Sequence, residues 1–156
     1  MNRRWHLSHA RGYLELGMVE EAAAELARLP AAEPEANDVL ALRAVVLQEQ
    51  ERWAELRVVS SELLRRQPET ADWWIMCAYA TRRSESLAEA EAILREAELR
   101  HPQEATIQFN LGCYACLRGD VAEARRRVDQ AIALDGRFRA AAVTDPDLQA
   151  LKHAGH

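Results

Sequence analysis

Residues 105–138 read ATIQFNLGCYACLRGDVAEARRRVDQAIALDGRF. In the second half of this stretch Ala124, Val128 and Ala131 recur at spacings of four and three, which marks one face of a helix. In the first half Gly112 supplies a small residue, as two helices packed about 8–10 Å apart require where their backbones come closest. Between them, Gly119 can close the first helix in a left-handed conformation, and Asp120 with Glu123 forms a reciprocal cap for the second. The stretch therefore reads as one helix-turn-helix unit.

Working outward, the same columns recur without gaps in windows of 34 residues that begin at Arg3, Asn37 and Ala71. The small-residue column is Ala10, Ala44, Ala78 and Gly112. The apolar face of the second helix repeats as Ala22, Leu56, Ala90 and Ala124, then Leu26, Ser60, Leu94 and Val128, then Leu29, Leu63, Ala97 and Ala131. Pro34, Pro68 and Pro102, with Gly136 in the fourth window, stop the second helices. Gly17 matches Gly119, whereas Glu51 and Glu85 stand at that turn in the middle units, and Ser86 with Glu89 forms another reciprocal cap. First helices are expected over 3–16, 37–50, 71–83 and 105–118, and second helices over 18–29, 53–66, 86–100 and 121–134.

Composition agrees. Ala, Leu, Glu and Arg dominate the 156 residues, glycine is scarce, and one domain with a continuous core is expected over 1–156. Twenty basic against twenty-five acidic side chains give a net charge of -5, which argues against nucleic acid as a partner. Met1 to Ala10 carries Arg3, Arg4, His6 and His9 with no apolar run, so no secretion signal or membrane anchor is expected there. Three cysteines, an odd number, suit a reducing compartment, and a cytoplasmic protein is the expectation.

The columns resemble those of the tetratricopeptide repeat family, over residues 3–138. The likeness is strongest in Trp74, Cys77, Ala78, Ala90, Leu94, Ala97 and Pro102, and in Asn110-Leu111-Gly112 with Gly119-Asp120 and Glu123-Ala124. His9 and Arg43 depart from it where leucine is usual, and Gln108 replaces an aromatic residue. The resemblance implies an all-α, right-handed α-solenoid of four units (3–36, 37–70, 71–104, 105–138) with a cap over 139–156. In that cap Asp145 and Pro146 can begin a helix, and Leu148 and Leu151 can cover the last unit. The Asp145-Pro146-Asp147-Leu148 ending is itself similar to that of many small bacterial proteins of the family.

The resemblance also implies that the first helices line a concave groove. Carried across column by column, its partner-binding residues are Leu7, Arg11, Ala41, Val45, Gln48, Ile75, Tyr79, Arg82, Phe109, Cys113 and Cys116. Leu7 and Arg11 stand where the chaperone-tail binders of the family carry a lysine and an asparagine, so that carboxylate clamp is not expected in its usual form. A protein-protein adaptor or scaffold holding a peptide or protein segment is the leading expectation, with a dedicated chaperone as the alternative. A homodimer, or the chain's own lid, could also fill the groove.

Three constellations have both a chemical and a plain reading. Cys113 and Cys116 have CxxC spacing, suited to a thiol or metal enzyme, but lie mid-helix without partner ligands and read first as packing. His6 and His9 share a helix side, as metal ligands or as solvated side chains. Arg125-Arg126-Arg127 reads as a solvated face before a phosphate site. Trp53 and Trp74 are expected to be buried, while Trp5 and Trp73 either pack between units or anchor a partner. No catalytic constellation, cofactor or metal is expected.

Overall fold

The computed structural model describes residues 2–31 and 35–153 and, among them, contains helices and no strand. Eight helices form four consecutive hairpins: α1 (Arg3–Glu15) with α2 (Val19–Ala27), α3 (Asn37–Glu49) with α4 (Trp53–Arg66), α5 (Ala71–Ser84) with α6 (Leu87–Arg100), and α7 (Ala105–Leu117) with α8 (Val121–Leu134). The chain then continues through α9 (Phe138–Thr144), a 3-10 turn (Pro146–Leu148) and α10 (Gln149–His153). Pro34 and the last residues of the expected cap, His156 among them, lie outside the described residues.

Three of the four turns are built alike. In each, a left-handed residue lets the next amide reach back to the closing turn of the helix: Met18 N donates to Tyr13 O at 2.8 Å, Arg52 N to Leu47 O at 2.9 Å and Asp120 N to Ala115 O at 2.9 Å. Gly17 and Gly119 adopt φ of 73° and 88° without a side-chain clash, and Glu51 is forced to φ 56° in the equivalent place. The turn after α5 escapes this requirement. That helix runs one residue further, Glu85 takes φ -128°, and Ser86 caps α6 by accepting from Glu89 N at 3.1 Å. Asp120 caps α8 in the same way at 3.1 Å.

Helix α2 stops at Ala27, before the expected residue 29 and well short of the 14-residue α4, α6 and α8. Pro30 explains the truncation, because it lacks an amide hydrogen and disfavours helical backbone at Leu29. The small-residue column sits where expected. Ala10, Ala44 and Ala78 are completely buried, and a Cβ on Gly112 would lie 3.0 Å from Val128 Cγ2 and 3.3 Å from Ala124 O. The core follows the stack as three clusters, one over α1–α3, one over α3–α5, and the largest over α5–α8 with Leu148 of the cap.

The two departures from the leucine and aromatic columns have different outcomes. Arg43 is part-exposed and pairs with Glu35, and beside it an open cleft of ≈ 450 Å³ separates α2 from α4. Gln108 is completely buried: its Oε1 accepts from Arg127 Nη1 at 2.9 Å and its Nε2 donates to Glu98 Oε1 at 3.2 Å. The same Arg127 guanidinium reaches Glu98 at 3.0 Å and Glu123 at 3.0 Å. Arg127, only 4% exposed, therefore corrects the reading of the arginine run as a solvated face, although Arg125 and Arg126 do face water. Glu123 continues the network through Arg118 (2.8 Å) and Arg95 (3.2 Å).

Two outcomes follow from these features. Glu51→Gly relieves the left-handed strain and is expected to raise unfolding stability by about 0.5–1 kcal/mol in a urea titration, whereas Glu85→Gly brings no gain. Hydrogen bonding from Arg118, reinforced by Arg127, lowers the Glu123 carboxyl from 4.5 to about 2. A depressed folded-state value makes its contribution fully present above the unfolded value and lost as pH falls. Thermal stability should therefore drop between about pH 4.5 and 2, and drop less steeply in Glu123→Gln.

Candidate functional site

The wall built by α1, α3, α5 and α7 divides into an open and a covered part. In the open part Arg11 and Gln48 face solvent, Ala41 and Ile75 are half-buried, and Val45 and Tyr79 are each 37% exposed. Leu7, at the start of this wall, is buried in the α1–α3 cluster. In the covered part Phe109, Cys113 and Cys116 are buried. Phe138 of α9 packs on Phe109 with ring centroids 4.8 Å apart, and the 3-10 turn lies over Cys113. The structure thus brings together Tyr79, Arg82 and Cys113, which line one cleft, and leaves Phe109 beneath Phe138 and Cys116 buried in the α5–α8 cluster.

The turn is fastened at two points. Asp147 accepts from both terminal nitrogens of Arg82, at 2.7 and 3.0 Å, and Leu148 is completely buried in the α5–α8 cluster. Asp145 holds the turn's shape by accepting from Asp147 N at 2.9 Å. The paired carboxylate raises the pKa of Arg82. Arg82 also stands 5.4 Å over the Tyr114 ring. Burial pushes the Tyr114 hydroxyl up to about 12, with Arg82 opposing the shift.

Trp53 belongs to this wall and is not among the groove residues that the sequence columns select. Its ring meets Tyr79 edge-on at 5.3 Å, and the Arg83 guanidinium covers both, 4.5 Å from the Tyr79 centroid and 5.1 Å from Trp53. Those columns place Trp53 at the start of a second helix, where burial is expected, and it is half-buried. Its only signal in the sequence is an aromatic residue at the helix start, close in the hairpin to an exposed column of the next unit. Trp74 is buried as expected, with its indole nitrogen donating to Pro68 O at 2.8 Å. Trp5 is exposed and stacks on His9 at 3.8 Å, and Trp73, half-buried, donates to Gln67 at 2.9 Å.

The other chemical candidates are occupied by structural partners. His6 is buried, contrary to a solvated reading, with its Nδ1 2.8 Å from Glu25 Oε2. That hydrogen bond, assisted by Arg28, lowers the Glu25 carboxyl below the usual range. His9 is engaged by Trp5 and does not converge with His6 on common ligands. Among the described residues, Cys113, Asp145 and Asp147 bring metal-capable atoms within 4.8 Å of one another, and Arg82 supplies a cation to that group. The three cysteines are free thiols. Burial, with Asp145 and Asp147 adding to it, pushes the Cys113 thiol far above the usual range and opposes a nucleophilic thiolate.

A thiol reagent should accordingly label the folded chain slowly at Cys113 and rapidly once denaturant is added. Labelling at the rate of a free thiol in the native chain would show that the turn does not seal this wall.

No family model and no curated protein matches the chain. Solved structures do. TTC0263, a tetratricopeptide-repeat (TPR) protein of Thermus thermophilus, is 19% identical with a TM-score of 0.71, over 98% of this chain and 82% of that one. YrrB, described as a TPR protein with an unusual peptide-binding site, is 16% identical with a TM-score of 0.75, over 88% and 72%. MamA of Desulfovibrio magneticus RS-1 is 15% identical with a TM-score of 0.73, over 96% and 89%. No helix among the described residues is long and apolar enough to cross a membrane. Helical hairpins stacked on a shared small-residue column, in the arrangement of these structures, give the chain the all-α solenoid fold of the tetratricopeptide-repeat proteins.

Proposed function

We propose that the chain is a protein-interaction adaptor that holds a segment of a partner polypeptide against the open wall of α1, α3 and α5. One observation carries this reading. Tyr79 and Val45 stay 37% exposed on that wall, while the corresponding Cys113 of the fourth hairpin is covered by the chain itself. A part-exposed aromatic side chain on such a wall offers apolar area that contact with a partner would stabilise. Half-buried Ala41 and Ile75 give the floor, and exposed Arg11 and Gln48 give it polar contacts. YrrB, of the same fold, is described as having a peptide-binding site, which supports a segment rather than a small molecule as the occupant. Cys113, buried beside the turn, is poorly placed for thiol chemistry.

The test compares partner capture by the wild type and Tyr79→Ala in pull-downs from the native cell. Tyr79→Ala should lose the partner by about tenfold or more while its melting temperature falls less than that of Phe109→Ala, since the Tyr79 ring is 37% exposed and that of Phe109 is buried. Phe109→Ala should instead unfold at a markedly lower temperature, by the loss of a buried aromatic residue costing about 3–5 kcal/mol. Undiminished capture by Tyr79→Ala would remove the groove from the function.

A further inference from the structure

We propose that the turn Asp145-Pro146-Asp147-Leu148 is a resident occupant of a site for an acidic peptide segment, and that a partner carrying an acid-X-acid-Leu turn displaces it. The proposal rests on the groove reading above and names the chemistry of its partner.

The turn is held as a ligand is held. Its grip consists of one bidentate carboxylate on Arg82, at 2.7 and 3.0 Å, and one leucine fully buried beyond it. Arginine paired through two parallel hydrogen bonds selects a planar carboxylate by geometry as well as charge. Asp145 closes the turn on Asp147 N and so presents the second carboxylate outward to Arg82. The specificity the site shows toward its own chain is therefore acid, turn, acid, leucine.

Next to this grip lies a second arginine, Arg83. Arg83 makes no ion pair among the described residues, and its guanidinium is held over Tyr79 and Trp53 at 4.5 and 5.1 Å. Rings that hold an arginine leave its N–H edge available for a carboxylate. A cleft of ≈ 390 Å³, lined by Tyr79, Arg82, Arg83, Asn110 and the turn, separates this free edge from Asp147. An incoming acidic segment can therefore contact Arg83 before it competes for Arg82.

The lid is made of short elements. Helix α9 has seven residues, none of them buried, and α10 has five, too short for either to persist alone. Leu148 is the lid's one fully buried side chain among the described residues; Phe138, Ala141, Ala142 and Leu151 pack against the α5–α8 cluster only part-buried, beside the Arg82–Asp147 pair. Because the lid is tethered, it competes at an effective concentration of the order of millimolar, and weakening it should raise the affinity for an outside segment.

The probe is a fluorescent peptide of sequence VTDPDLQAL, equal to residues 143–151, measured by anisotropy against the full-length chain beside a twin in which both aspartates are asparagine. Asp147→Asn in the protein should tighten binding of the acidic peptide about tenfold or more over the wild type. Adding Arg83→Ala should take back about tenfold, and the asparagine twin should bind weakly throughout. The pair Arg82→Asp with Asp147→Arg re-forms the ion pair with reversed charge, keeps the melting temperature, and should not bind the acidic peptide. Equal affinities for wild type and Asp147→Asn, or for the two peptides, would overturn the proposal. So would conversion of Asp147→Asn to a dimer by tail exchange, which would make a second copy the occupant. If these arms fail while Tyr79→Ala still loses its partner, the groove reading stands and only its acidic specificity falls.

Discussion

Everything in this molecule depends on how closely the two helices of a hairpin can approach. Ala10, Ala44 and Ala78 have no exposed surface, and at Gly112 even one added carbon meets Val128 and a backbone oxygen. Small residues at one fixed column let the two helices of each hairpin approach closely, and hairpins that share this column stack one on the next despite the shorter α2 and the longer link that follows it. The continuous wall of first helices is a consequence of that stacking. A bulky residue at one column would tilt one hairpin and break the wall at that point.

The close approach also decides which departures from the pattern are tolerated. Gln108 replaces an aromatic residue in a completely buried position, where an amide costs free energy unless both of its ends are paired. Arg127 and Glu98 pair both ends, and Glu123 pairs Arg127 in turn. Burial raises Glu98, and the hydrogen bonds from Arg127 and Gln108 more than offset this, keeping its carboxyl low and ionised. A polar residue in the core thus survives by bringing a charged residue from the partner helix inward with it. At Arg43 no such set forms, and its side chain stays at the edge of an open cleft.

Repetition explains what can be read in the sequence. Helix positions, the small-residue column and the caps at Ser86 and Asp120 depend on local chemistry repeated in register, so each unit predicts the next. The shortening of α2 follows from Pro30, a local signal overshadowed by the regular proline column four residues later. Features specified by a contact between distant residues are not legible. His6 with Glu25, Arg127 with Gln108, and Trp53 with Tyr79 are ordinary surface or core types until the fold sets them side by side. Leu148 is readable as a cover because leucine in a cap has one use, while Asp147 gives no hint of Arg82, 65 residues away.

That last contact reshapes what the groove is. Helices α9 and α10 pack over α8 and cover part of its apolar face. The turn between them goes further than covering requires, crossing to α5 to place a carboxylate on Arg82. A cover needs apolar area alone, whereas an acidic turn on an arginine specifies a charge pattern. The part-exposed Arg82–Asp147 pair and the buried Leu148 thus hold the turn across α5 and α7. Interactions of that kind weaken with salt and with competing carboxylates, while the small-residue crossings beneath them do not. The hairpin crossings are therefore fixed by packing, whereas the turn that crosses to α5 is fixed by packing and by charge together.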